Sequence, residues 1–190
     1  MRNELRSLKA NFDLPDFILR LLHLRNIVSP EAVRKFFYSS TEHKKSNLDE
    51  LYDPFLMKGC EAACQRVVSA IESKEKIMIL GDYDVDGTCG VSLFSMFLRE
   101  FGLNPEIYIP DRISEGYGIS IDAIDYAESL GIRLVVSIDC GITACDKVAY
   151  AKKKGIEFII CDHHQPPDKI PDALAVIDVH RKDDEYPCKD

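Results

Sequence analysis

Ile77-Met78-Ile79-Leu80-Gly81-Asp82-Tyr83-Asp84-Val85-Asp86-Gly87 is the stretch on which the fold turns. Four apolar residues of strand length run into a turn with carboxylates at every second position, and over residues 88–101 the apolar positions take up a helical period. A buried strand, an acidic turn and a helix in that order form the first half of a βαβ unit. The alternation then repeats. Strands are expected over 106–109, 134–138 and 158–161, helices over 120–130 and 143–154, and a last apolar run lies at 173–177. Short connections and this strand and helix order predict an α/β fold, a mostly parallel sheet with helices on both faces.

Upstream the pattern is helical. Residues 14–24 carry apolar positions at helical spacing, Ser29-Pro30-Glu31 reads as an N-cap with proline at the first helical position of a helix reaching residue 38, and a further helix is expected over 58–73. Residues 39–53 are polar and read as a connector. The expected organisation is therefore a helical N-terminal extension over 1–56 and an α/β domain over 57–190.

The 190 residues are 46% apolar, enough for one core, and carry a net charge of −8. That charge excludes a generally basic, phosphate-coating nucleic-acid binder, but not an acidic site that meets phosphate through cations. No run of about 18 apolar residues occurs and the N-terminus lacks a signal-peptide pattern, so a cytoplasmic protein with no membrane contact is expected. Seven cysteines, at 60, 64, 89, 140, 145, 161 and 188, show no C-x-x-C pairing. They are expected to be reduced thiols rather than a disulfide framework or a zinc ribbon.

In an open parallel sheet, ligands bind beyond the carboxyl ends of the strands. Asp82, Asp84 and Asp86 follow one strand, Asp139 follows another, and Asp162, His163 and His164 follow a third, so all should meet at one edge. Carboxylates gathered there repel one another unless cations neutralise them, and oxygen ligands with imidazoles suit Mn²⁺ or Mg²⁺. An EF-hand calcium loop is excluded, since its twelfth position is Leu93 rather than glutamate. A single aspartate after a strand more often caps the next helix, and for Asp86 and Asp139 capping is compatible with metal binding. The spacing thus reaches a metal-dependent phosphoester or phosphoanhydride hydrolase.

Asp162-His163-His164 resembles the signature of the DHH phosphoesterase superfamily. Within it the chain resembles the RecJ-type branch of single-strand-specific 5′ to 3′ DNA exonucleases. The likeness runs in order through Leu24-Arg25-Asn26-Ile27, Leu51-Tyr52-Asp53-Pro54-Phe55-Leu56-Met57, the Gly81 to Gly87 motif, Ile109-Pro110-Asp111-Arg112-Ile113-Ser114-Glu115-Gly116-Tyr117-Gly118 and Ser137-Ile138-Asp139-Cys140-Gly141-Ile142. The resemblance implies that Asp82, Asp84, Asp86, Asp139 and His163 are metal ligands or their immediate neighbours, for two Mn²⁺ or Mg²⁺ ions in the complete protein. It implies that His164 and Asp139 act at the scissile phosphate; Arg112 is the candidate to grip a DNA phosphate, against a surface or ion-paired arginine, and Tyr117, between two glycines, either packs beneath the site or stacks a base. The implied substrate is single-stranded DNA in repair and recombination, with other DNA-repair proteins as partners.

The chain also departs from the family. Asp178-Val179 stands where Asn-Pro is usual, and the sequence ends at Asp190, whereas family members continue with another metal-binding aspartate and further domains. Little activity is expected of these residues alone. Two other readings stay open: an oligoribonucleotide or cyclic-dinucleotide phosphodiesterase of the same superfamily, and a non-catalytic scaffold with the same fold. A pyrophosphatase is disfavoured, because that branch opens its first motif with histidine where this chain has Leu80.

Overall fold

The computed structural model describes residues 8–9, 11–38 and 51–189, and the expected polar connector lies mostly outside them. By internal packing the chain divides into Met1–Leu51 and Tyr52–Asp190. In the first unit, helices α1 (Asp16–Leu24) and α2 (Pro30–Tyr38) share a small core of Leu8, Leu19, Leu22 and Val33. Ser29 Oγ accepts a 3.1 Å hydrogen bond from the Ala32 amide, the side-chain cap expected at the start of α2.

The second unit opens with a single 3₁₀ turn at Pro54–Leu56 and helix α3 (Cys60–Glu72). There follow β1 (Ile77–Gly81), α4 (Val85–Glu100), β2 (Glu106–Tyr108), α5 (Ile121–Ser129), β3 (Leu134–Ile138), α6 (Cys145–Lys153), β4 (Glu157–Cys161) and β5 (Ala175–Ile177). All strand pairs are parallel, in the order β2-β1-β3-β4-β5. The expected α/β fold is present, with the last apolar run forming the fifth strand. The chain leaves β1 for one neighbour and returns to its other side as β3, so strand order reverses between β1 and β3, the position where open sheets bind ligands.

Strand alternation divides the core into two layers. Met78, Leu80, Val135, Phe158, Ile160 and Val176 pack with Ala123, Ile124, Ala127, Val148 and Ala151 of α5 and α6. Ile77, Ile79, Leu134, Val136, Ile159 and Ala175 point the other way, onto Ala63 and Ala70 of α3 and Val91 and Leu98 of α4. Each fully buried Leu, Ile or Phe contributes about 1.5–3 kcal/mol over its exposed state, so register slippage, which would expose a whole layer, is strongly opposed.

Helix α4 begins three residues before the sequence pattern places it. Asp84 is its N-cap, accepting from the amides of Asp86 (3.0 Å) and Gly87 (3.1 Å), which satisfies donors that a helix start otherwise leaves open. At the far end of the chain, the buried Asp184 carboxylate accepts from the amides of Lys58 (2.7 Å) and Tyr186 (2.9 Å) and from Lys189 Nζ (3.1 Å). Those bonds fasten the segment after β5 to the start of α3. None of the seven cysteines is in a disulfide. Among the described residues, no helix is long and apolar enough to cross a membrane.

Candidate metal centre

Three strand ends build the site. Asp82 directly follows β1 and is 4% exposed, with Oδ1 lacking any hydrogen-bond partner. The first turn of α4 lies tight against its backbone: a Cβ on Gly87 would stand 2.4 Å from the Asp82 carbonyl oxygen, so only glycine fits there.

Asp139 follows β3 in a left-handed conformation, φ +62°, which costs a non-glycine residue roughly 1–2 kcal/mol. Its amide donates to the Cys161 carbonyl (2.8 Å), and its own carbonyl accepts from the Tyr117 hydroxyl (3.1 Å). The backbone is thereby held in the turn, while the side chain is 6% exposed. His163 Nε2 stands 2.9 Å from Asp139 Oδ1, but not in hydrogen-bond alignment, and neither carboxylate oxygen of Asp139 receives a hydrogen bond.

Asp162, after β4, is the opposite case. Its Oδ1 accepts from the amides of His163 (2.8 Å) and His164 (3.1 Å) and lies 2.7 Å from His164 Nδ1; its Oδ2 accepts from the Ile142 amide (2.9 Å). Both oxygens are in use, so Asp162 shapes the turn carrying the two imidazoles and joins it to the loop after β3. Reasoning from residue types placed Asp162 at the edge without giving it this role. The signal lay in its position as the first letter of the motif, directly at the strand end.

The structure brings together five of the six residues singled out as ligands or catalytic groups. Ligand atoms of Asp82, Asp84 and Asp139 lie within 4.8 Å of one another, as do those of Asp139, His163 and His164. Asp139 belongs to both groups. Asp86 belongs to neither; it stands in the first turn of α4 and lines a cavity of about 300 Å³ with Asp139, Asp162 and His163. Arg112 is exposed and stacks over the Tyr83 ring at 5.0 Å from its centroid. Tyr117, half exposed, hydrogen-bonds beneath the site through its hydroxyl and meets the His164 ring edge-on. Glu115 was not anticipated. It accepts from Tyr108 Oη (2.6 Å), the Asp111 amide (3.0 Å) and Ser120 Oγ (2.7 Å), closing the loop that carries Arg112 and Tyr117.

The electrostatics are those of a site short of positive charge. Burial, and then the neighbouring Asp84 carboxylate, push the Asp139 carboxyl above its ordinary range. The Gly87 amide leads the contacts that hold Asp84 low. The hydrogen bond to Asp162 raises His164. Asp178, one residue past β5, is buried with Oδ2 unpartnered, and burial pushes it up as well. Buried carboxylate oxygens without donors are costly, and a divalent cation with oxygen and imidazole ligands is the group whose chemistry fits Asp82, Asp84, Asp139, His163 and His164.

A sequence profile of the DHH family, N-terminal domain, matches residues 76–189, the stretch from β1 through the two histidines and on past β5. The chain belongs to the DHH family. Among curated DHH relatives, the single-stranded-DNA-specific exonuclease RecJ of Bacillus subtilis is 33% identical over the whole chain, which covers 23% of that relative. RecJ of Salmonella typhimurium is 36% identical over 93% of the chain and 29% of the relative. A crystal structure of exonuclease RecJ bound to manganese matches with a TM-score of 0.64 and 28% identity, over 73% of this chain and 36% of that one. The chain thus spans less than a third of the length of these curated relatives.

Proposed function

We propose that the chain is the catalytic DHH portion of a metal-dependent exonuclease resembling RecJ, hydrolysing single-stranded DNA in the 5′ to 3′ direction with two divalent ions in DNA repair and recombination. The observation that carries this reading is that Asp139 belongs to both ligand groups and accepts no hydrogen bond, as suits a carboxylate placed between two cations. The names of the relatives supply the substrate class, and the manganese of the solved relative supplies the metal class. In this reading residues 1–56 form a helical extension and 57–190 the phosphoesterase portion.

The residues divide the work. Asp82, Asp84, Asp139 and His163 would hold Mn²⁺ or Mg²⁺, with Asp86 at the rim. Bound divalent cations lower the pKa of water and offset charge on the phosphoryl oxygens. Asp162 holds the turn of both histidines through their amides, and by engaging His164 Nδ1 it would leave Nε2 of that ring, 3.5 Å from the Tyr117 hydroxyl, to face a phosphate oxygen. Tyr117 braces the carbonyl of Asp139. The stacking of Arg112 on Tyr83 supports a role for it in meeting a DNA phosphate with paired N–H groups. The chain alone is expected to degrade long single strands poorly.

The test is end-labelled single-stranded DNA with Mn²⁺, using the complete parent polypeptide beside its Asp84→Ala variant. Loss from the 5′ end, reduced more than about 100-fold in the variant, is expected. Retained activity in the variant overturns the ligand assignment, and digestion only from the 3′ end overturns the polarity.

A further inference from the structure

Residues 111–117 form a loop that apolar packing does not hold. Asp111, Arg112, Ile113, Ser114 and Tyr117 are exposed, Ile113 at 96%. Hydrogen bonds give the loop its shape instead. Asp111 Oδ1 accepts from the amides of Ile113 (3.0 Å) and Ser114 (2.9 Å), and the Asp111 carbonyl accepts from the Glu115 amide (2.9 Å). The Asp111 amide donates in turn to Glu115 Oε1, while Glu115 Oε2 accepts from Tyr108 Oη, at the end of β2, and from Ser120 Oγ, the side chain that caps α5. One carboxylate thus joins a strand end, a helix start and the exposed turn.

Both oxygens of Glu115 are occupied by uncharged donors, and the residue belongs to neither group of candidate ligand atoms. Its place in the loop is informative. On one side of it, Arg112 stacks on Tyr83, which stands between Asp82 and Asp84; on the other, the Tyr117 hydroxyl donates to the Asp139 carbonyl. The loop therefore meets the metal centre at two points, with Glu115 between them in the chain.

We propose that Glu115 is a positioning residue for substrate binding: by fixing the turn it holds the Arg112 guanidinium beside the acidic turn, where it meets a DNA phosphate. The inference rests on the exonuclease reading for its substrate. Paired N–H groups recognise phosphate only in the right orientation, and an arginine on a loose turn would have to be ordered at the expense of affinity. Glutamine keeps an oxygen for the Asp111 amide, and its NH₂ group can donate to the hydroxyls of Tyr108 and Ser120, which accept as well as donate. Alanine removes all three bonds.

The experiment is steady-state kinetics on end-labelled single-stranded DNA with Mn²⁺, in the complete parent polypeptide. Glu115→Ala is expected to raise KM about tenfold, and Glu115→Gln to stay within about twofold of the parent. With Arg112→Ala already present, Glu115→Ala should add less than about twofold, because it acts through that side chain. A residue that only stabilised the fold would lower the active fraction, and so the apparent kcat, without moving KM. In the 190-residue chain, Glu115→Ala should speed amide hydrogen exchange of Ile113 and Ser114 about tenfold, with protection of Val136 in β3 unchanged. The proposal is overturned if KM stays put in Glu115→Ala, if Glu115→Gln is equally impaired, or if the effects of the two alanine substitutions multiply. A parent inert on single-stranded DNA overturns the exonuclease reading and this role with it, whereas an active parent with unchanged exchange at Ile113 and Ser114 overturns the positioning role alone.

Discussion

The Ile142 amide donates a 2.9 Å hydrogen bond to Asp162 Oδ2, joining the loop after β3 to the turn after β4. Asp139 stands on one side of that bond and His163 and His164 on the other, so the relative placement of the candidate ligands depends on it. Replacing Asp162 by alanine leaves the amides of Ile142, His163 and His164 without their acceptor and should destabilise the chain by about 2–4 kcal/mol, read from urea unfolding.

The same pair has a pH signature in the metal-free chain. Asp162 raises the His164 imidazole above its unfolded value of about 6.5. A group raised on folding stabilises fully below its unfolded pKa and loses that contribution as pH rises through the folded pKa. Asp162→Asn should therefore cost more stability at pH 6 than at pH 9, and histidine titration by NMR should show His164 moving down toward the ordinary value. An unmoved His164 would separate the two residues.

Asp139 predicts the reverse response to substitution. Its carboxyl is pushed up by burial and by Asp84, so in the metal-free chain ionisation weakens the fold as pH rises through the raised value. Asp139→Asn removes that ionisation, and at pH 7 in EDTA the variant should melt higher than the parent, by about 1 kcal/mol in stability. Added Mn²⁺ should raise the melting temperature of the parent and not of the variant. A variant that melts lower in EDTA would show that the carboxylate is already compensated within the protein.

Gly87→Ala tests how tightly α4 seats against β1. The new Cβ would meet the Asp82 carbonyl oxygen at 2.4 Å and its amide nitrogen at 2.7 Å, both backbone atoms that cannot swing aside. A loss of about 2–4 kcal/mol is expected. Since Asp82 must shift to admit the methyl group, Mn²⁺ affinity measured by calorimetry should fall in the same variant.

Asp184, in the segment after β5, gives an acid-side prediction. Burial alone would raise its carboxyl, but bonds from Lys58, Tyr186 and Lys189 hold it below the ordinary range. A carboxyl depressed on folding stabilises above its unfolded pKa and loses that contribution as pH falls through the folded one. Asp184→Ala should cost about 2–3 kcal/mol at pH 7 by urea unfolding, with the difference from the parent narrowing below about pH 4.

The sheet was legible because its strands are apolar runs cut off by glycine or acidic turns, and its helices carry a clear period. The edge position of the acids followed from strand direction. Strand order did not, because no local signal says that β3 returns to the far side of β1. The role of Asp84 as a cap was hidden behind its motif, since the same carboxylate suits a helix start and a cation. Asp139 in a left-handed turn, Arg112 on Tyr83 and Glu115 bonded to Tyr108, Asp111 and Ser120 are tertiary choices. They depend on what the fold brings near, and spacing along the chain does not encode it.

The backbone of Asp139, at φ +62°, is one that glycine adopts without strain. If Asp139 holds a cation as proposed, variants selected for heat resistance alone should drift toward glycine at this position and emerge sturdier but inert. The identity of residue 139 in any related sequence then becomes a diagnostic: aspartate marks a lineage kept for its chemistry, and glycine one kept for its shape.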